Sequence, residues 1–193
     1  KMKIKIEPAT PDRASHIASL IMEAMNPGCC QNLVGAHHTL AEFHQVMERL
    51  VRMEDSQYSY RNTLLATNSE GITAGIIVSY DGAQLKALRK RFIEEAKETF
   101  GIDYTGMDPE TQEGELYIDS LAVPAAFRGK GIAKMLLKAV IEKGREMGLP
   151  AVGLLVDKGN PKAERLYANM GFEYVNDAVW GGHSMKHLQY PLR

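Results

Sequence analysis

The chain has 193 residues, 45% of them hydrophobic, with 23 Lys plus Arg against 24 Asp plus Glu and a formal net charge of −1. That length suits one well-buried core, so a single domain is expected over residues 1–193. The balanced charge gives no global field that would draw in nucleic acid or anionic lipid, and no run approaches the roughly 18 apolar residues of a membrane span. Partners must therefore be recognised locally, and a cytoplasmic protein is expected. Lys1 ahead of Met2 reads as an added residue.

In chain order, "IKIEPA" alternates and predicts a short strand. "TPDRASHIASLIMEAM" predicts a helix with Thr10 as cap, Pro11 in the first turn, and Ile17, Leu20, Ile21 and Met25 along one face. "NPG" is expected to end it. Cys29 and Cys30, the two cysteines, follow as neighbours; they cannot bridge without strain and read as inert loop thiols in a reducing compartment with no cation nearby. "TLAEFHQVMERLVRM" begins with a capping box, Thr39 and Glu42. "NTLLAT" and "ITAGIIVSY" flank "NSEG" and predict a hairpin. "DGAQ" leads into a cationic helix from about Leu85 to Thr99, followed by the acidic connector "GMDPETQEGE". Strand "LYIDSLAV", loop "PAAF", helix "GIAKMLLKAVIEKGREMG" and strand "AVGLLV" then form a crossover from Leu116 to Val156, expected to be parallel and right-handed. "GNPKAERLYANMG" predicts a helix capped by Asn160, with Pro161 at its first position and Gly171 after its end. "FEYV", a Trp-Gly-Gly loop and "HSMKHLQYPL" close a mixed α/β domain.

The stretch "FRGKGIAK", Phe127 to Lys134, places two glycines and three cations where a strand gives way to a helix. Unpaired N–H groups at a helix N-terminus and backbone bared by Gly129 and Gly131 make a phosphate nest; a solvated basic turn is the plainer alternative. A P-loop would need Lys-Ser/Thr after Gly131, where Ile132 and Ala133 stand, and a dinucleotide fingerprint would need a small residue at Lys134. Neither fits. What matches is Arg/Gln-x-x-Gly-x-Gly/Ala, read as Arg128, Gly131 and Ala133. With "NPKAERLYANMGFEYV", in which Asn160 opens a helix carrying Tyr167 and ending in Gly171-Phe172, this resembles the GNAT superfamily of acyl-CoA-dependent N-acetyltransferases.

The resemblance is tight over Leu116 to Val175. It implies a mostly antiparallel mixed sheet with a central, splayed parallel strand pair flanked by helices. The cofactor-binding core would be residues 116–175, and residues 83–114 a helical and acidic insertion between strands. It implies acetyl-CoA or coenzyme A as cosubstrate, held by Leu121, Ala122, Val123, Arg128, Gly129, Lys130, Gly131, Ile132, Ala133, Asn160 and Tyr167. The reaction implied is transfer of an acetyl group to a primary amine of a small molecule or peptide by direct attack in a ternary complex. The Leu121 N–H would face the thioester oxygen, and Tyr167 would donate a proton to the departing thiolate. Family bases often lie on the strand 116–123. Alternation puts Glu115, Tyr117 and Asp119 on one side of it and Leu116, Ile118 and Ser120 on the other, so Asp119, or Glu115 through water, is the candidate base.

Asp108, Glu110, Glu113, Glu115 and Asp119 would suit a cationic amine, although a charge run is more often a solvated face. Tyr117 and Trp180 are candidate substrate contacts, and His37, His38 and Tyr104 lie on loops that commonly border this site in the fold. His183 and His187 lack a zinc signature, so no metal is expected. A monomer or homodimer without nucleic-acid or membrane partners is expected. A non-catalytic acyl-CoA sensor on the same fold is the competing reading, and Tyr167 argues against it.

Overall fold

Strands β1 (Ile4–Pro8), β2 (Thr63–Asn68), β3 (Thr73–Asp81), β4 (Leu116–Ala122), β5 (Ala151–Asp157), β6 (Glu173–Trp180) and β7 (His183–Pro191) form one sheet in the order β1-β2-β3-β4-β5-β7-β6. This is a computed structural model and describes residues 3–193; Lys1, read above as an added residue, lies outside them. All neighbouring pairs are antiparallel except β4 with β5. Helices α1 (Ala14–Met25), α2 (Pro27–Val34), α3 (Leu40–Arg52) and α4 (Leu85–Phe100) cover one face, while α5 (Ile132–Glu146) and α6 (Pro161–Met170) cover the other.

The two cores follow from the two-residue period of β3. Ile76 and Val78 face Ile17, Ile21, Phe43 and Met47 of α1 and α3, whereas Ile77 faces Leu136, Leu137 and Val140 of α5. Eight of the nine β3 residues are buried, as a strand covered on both faces requires. The Thr39–Glu42 capping box forms with both hydrogen bonds present, and such a cap contributes ~1 kcal/mol.

Three expectations need correction. Thr10 makes no side-chain cap; a short 3-10 turn, Pro11–Arg13, precedes α1. Cys29 and Cys30 are on α2 and not in a loop. Asn26 (φ +66°) accepts from the Cys29 N–H at 2.8 Å and Pro27 holds the first position, so "NP" opens a second helix as well as ending the first. The last strand pair is also longer than "FEYV" suggests: β6 runs to Trp180, and Gly181-Gly182 is the turn into β7.

Two features of β4 build the site. Its parallel ladder to β5 covers Leu116 to Ile118 against Val152 to Leu154 and then stops, so the strands separate. Opposite β3, Val78 pairs with Ser120 and Ser79 with Ile118, leaving Asp119 as the extra residue of a β-bulge. The bulge breaks the strict alternation, so Ser120 shares the Val78 and Tyr80 face with Tyr117 and does not follow Leu116 and Ile118.

Candidate active site

Beyond the separation of β4 and β5 the chain turns through Ala125–Phe127 into α5. Gly129 (φ +76°) and Gly131 (φ +79°) are both left-handed, and Gly131 is the N-cap of α5 with no side chain capping the first turn. Open space surrounds the Cβ position of each glycine, so it is the backbone conformation that demands glycine there. A cleft of about 580 Å³ runs along this backbone, lined by Leu121, Ala122, Val123, Arg128, Gly129, Gly131, Ile132, Ala133 and Tyr167, with Lys134 and Lys162 beside them. Uncapped N–H groups, the positive helix end and the lysines together fit a ligand carrying phosphates.

Arg128 spans the cleft. Its Nη2 donates to Glu23 Oε1 of α1 at 2.7 Å and its Nε to the Val123 carbonyl at 3.0 Å. Lys130, assigned to the cofactor from sequence, is not part of the lining; its ammonium lies 5.8 Å from the Phe127 ring centroid. Asn160 caps α6 by accepting from the Ala163 N–H at 3.2 Å and borders the neighbouring chamber.

That chamber, about 440 Å³, shares Glu23, Ala24, Leu121 and Tyr167 with the cleft, so the two meet between Leu121 of β4 and Tyr167 of α6. Tyr167 packs edge-on against Phe172, and its hydroxyl bonds to no other described residue in the structure. Burial pushes this hydroxyl up to about 12, which keeps it protonated at neutral pH. Glu23, Glu110, Asp119 and Asp157 line the chamber with His183, and among the described residues no lysine or arginine does. Tyr117 and Trp180, the candidate substrate contacts, line it too.

At the chamber floor Asp119 Oδ2 accepts from the Tyr80 hydroxyl at 2.7 Å and from Gln57 Nε2 at 3.1 Å, and Oδ1 accepts from Ser120 at 3.3 Å. The same Gln57 nitrogen donates to Glu110 Oε1 at 3.1 Å, where Arg89 Nη2 also arrives at 3.2 Å. Burial raises Glu110 first, and the charge of Asp119 adds to it; burial likewise raises Asp119, against its three hydrogen bonds. Cys29 also borders the chamber. Burial pushes its thiol up and the Glu110 charge adds to it, which makes it a poor nucleophile.

The structure does not bring the other expected base to the chamber. Glu115 is fully buried beneath β5, where it accepts from His187 Nε2 at 2.7 Å, Gln189 Nε2 at 2.8 Å and Thr111 Oγ1 at 2.6 Å. A Cβ on Gly153 would collide with its carboxylate, so glycine is what admits it. Burial raises this carboxyl, but the three hydrogen bonds outweigh it and hold the group below its ordinary range. Among the remaining acidic residues, Asp108 borders a vestibule of about 370 Å³ beside Trp180 and Tyr104, and Glu113 faces a separate outer groove. His37 and His38 reach neither the chamber nor the vestibule; His38 pairs with Glu42 at 2.7 Å. Sequence reading missed Gln57, Tyr80, Arg89 and Glu23, whose partners lie between 18 and 105 residues away in the chain.

Residues 86–172 match the acetyltransferase (GNAT) family. The chain is 42% identical over 70 residues to an acetyltransferase of Agrobacterium fabrum, 36% of this chain and 50% of that one. It is 34% identical over 88 residues to a mycothiol acetyltransferase of Propionibacterium freudenreichii, 45% of this chain and 28% of the other. The chain thus spans half or less of these relatives. An acetyltransferase crystal structure superposes with a TM-score of 0.80 at 27% identity, covering 98% of this chain and 100% of that one. An N-acetyltransferase from Staphylococcus aureus Mu50 does so at 0.81 and 26%, covering 96% and 99%.

Proposed function

We propose that the chain, which is similar to the acetyltransferase (GNAT) family over residues 86–172, transfers an acetyl group from acetyl-CoA to a primary amine carrying positive charge. The observation that carries the proposal is the meeting of a phosphate-suited cleft and an acidic chamber at Leu121 and Tyr167. Acetyl-CoA, when bound, supplies the activated thioester carbonyl. The main chain of Leu121 to Val123, freed where β4 leaves β5, pairs with the extended arm of the cosubstrate, and the Leu121 N–H faces the thioester oxygen. The N-terminus of α5, Gly129, Gly131 and the side chain of Arg128 hold the phosphates, with Ile132 and Ala133 lining that end.

Asp119 takes a proton from the acceptor nitrogen. Tyr167, protonated and at the junction, gives one to the leaving thiolate. The carboxylates around the chamber favour an acceptor that is itself cationic, such as a diamine, an amino sugar or a lysine side chain. In this reading residues 1–193 are one catalytic domain, in which the 83–114 segment roofs the acceptor side.

Mass analysis of diamine, amino-sugar and lysine-peptide panels incubated with acetyl-CoA tests this. Acetylated amine supports it. Cofactor binding with no acetylated product from any panel would favour the non-catalytic sensor instead.

A further inference from the structure

We propose that Glu110 is a positioning residue for amine deprotonation: fixed by Arg89 and joined to Asp119 through the Gln57 amide, it sets the pH at which Asp119 accepts the acceptor's proton. The inference rests on the acetyltransferase reading above, and it gives the 83–114 segment, its helix through Arg89 and its acidic connector through Glu110, a part in the chemistry.

Charge and geometry carry it. Arg89 is nearly buried, and its guanidinium is committed to Glu110 Oε1 at 3.2 Å and to the carbonyls of Met107 and Asp108 at 3.1 and 3.0 Å. Among the described residues, Asp119 receives hydrogen bonds only from neutral groups, those of Tyr80, Gln57 and Ser120. One Gln57 nitrogen stands 3.1 Å from an oxygen of each carboxylate, so the two negative groups are held close across a single donor. The groups facing the pair are Arg89 of α4, Cys29 of α2, Gln57 and Tyr58 after α3, Tyr80 of β3, and Tyr117 and Ser120 of β4; Arg89 is the one cation among them.

Two carboxylates with one buried cation carry one uncompensated charge. Like charges held this close cannot both stay ionised at low cost, so the pair retains a proton or takes a cation. An ammonium from the chamber meets that need. It gives one proton to Asp119 as the neutral amine forms. The nitrogen then bonds to the thioester carbonyl carbon as the carbon–sulfur bond breaks, the nitrogen's second proton replaces the one Tyr167 gives the thiolate, and Asp119 releases its proton to solvent. Glu110 touches none of the reacting atoms; its charge raises the proton affinity of Asp119, and Arg89 limits that rise.

The test is the pH dependence of kcat/KM for wild type, Glu110→Gln and Arg89→Met, using the fastest acceptor of the diamine, amino-sugar and lysine-peptide panels. Removing the Glu110 charge should move the acid limb to lower pH by about one unit, and removing Arg89 should move it to higher pH, while KM for acetyl-CoA stays within about threefold. Limbs that stay in place, or move in the same direction, overturn the proposal even if turnover falls, because a structural role predicts that. Both variants disturb a buried ion pair, so a carboxyl-carbon NMR titration of coenzyme A-bound wild type provides a second check. One carboxyl should keep its proton above the ordinary range, and its absence overturns the proposal. Wild type that acetylates no amine at all overturns this proposal together with the acetyltransferase reading, whereas active wild type with unmoved limbs overturns this one alone.

Discussion

Glu115, the residue before β4, is joined to His187 of β7 at 2.7 Å, across the β5 strand that lies between β4 and β7 in the sheet. Gly153 leaves the room, and Gln189 and Thr111 complete the carboxylate's hydrogen bonds. The bond ties the start of β4 to β7 beneath the site and holds Glu115 away from the chamber. Glu115→Ala should cost about 3 kcal/mol or more, as removal of one partner of a buried pair does. Because the folded carboxyl lies below its ordinary value, its contribution is present above the unfolded value of about 4.3 and is lost as pH falls through the folded one. Urea midpoints of wild type and Glu115→Gln should therefore differ at pH 7 and converge toward pH 3. Unchanged stability with lost turnover would return Glu115 to the list of bases.

At Gly131 the constraint is conformational. A β-branched residue there must adopt φ +79° at the N-terminus of α5, so Gly131→Val should misplace the N–H groups that receive the phosphates. In wild type a hundredfold excess of coenzyme A over its Kd should stabilise the fold by roughly 2.7 kcal/mol. Thermal melts should show that rise in wild type and little of it in Gly131→Val, with ATP ineffective in both. An equal rise in the variant would place the phosphates elsewhere.

Arg128 meets Glu23 before it meets any phosphate. Both side chains are largely exposed, so the pair contributes about 1 kcal/mol at most. Glu23→Gln frees the guanidinium and should tighten coenzyme A binding by up to about fivefold at low salt, with the gain fading as salt screens it. Calorimetric titration at two ionic strengths checks this, and weaker binding in Glu23→Gln would show that Glu23 supports the cofactor site.

Tyr167→Phe keeps the ring on Phe172 and removes the hydroxyl at the junction. Turnover should fall by roughly a hundredfold or more, with coenzyme A affinity little changed. Equal turnover would leave Tyr167 as a packing residue.

Much of this was legible in the sequence because its causes are local. The Thr39–Glu42 box, the Asn160-Pro161 helix start and the Arg128–Ala133 loop are each fixed by neighbours within a few residues. The "NP" at Asn26 carries a helix-start signal as well as a stop, and the two are alike in local sequence. The bulge at Asp119 has no local signature, and it reassigned the face of Ser120. Gln57, which organises the chamber floor, lies 53 residues from Glu110 and 62 from Asp119 in the chain, a relation that only the folded sheet and its roof create.

The central claim is that an acceptor amine in the acidic chamber attacks the thioester directly, with both substrates bound. Initial rates of thiol release from acetyl-CoA, measured across concentrations of both substrates with a cationic acceptor, test it most directly. The account predicts amine-dependent release, intersecting double-reciprocal lines, and a Michaelis constant for the amine that rises with ionic strength. Thiol release without dependence on any amine, or parallel lines from an acylated enzyme intermediate, would contradict it.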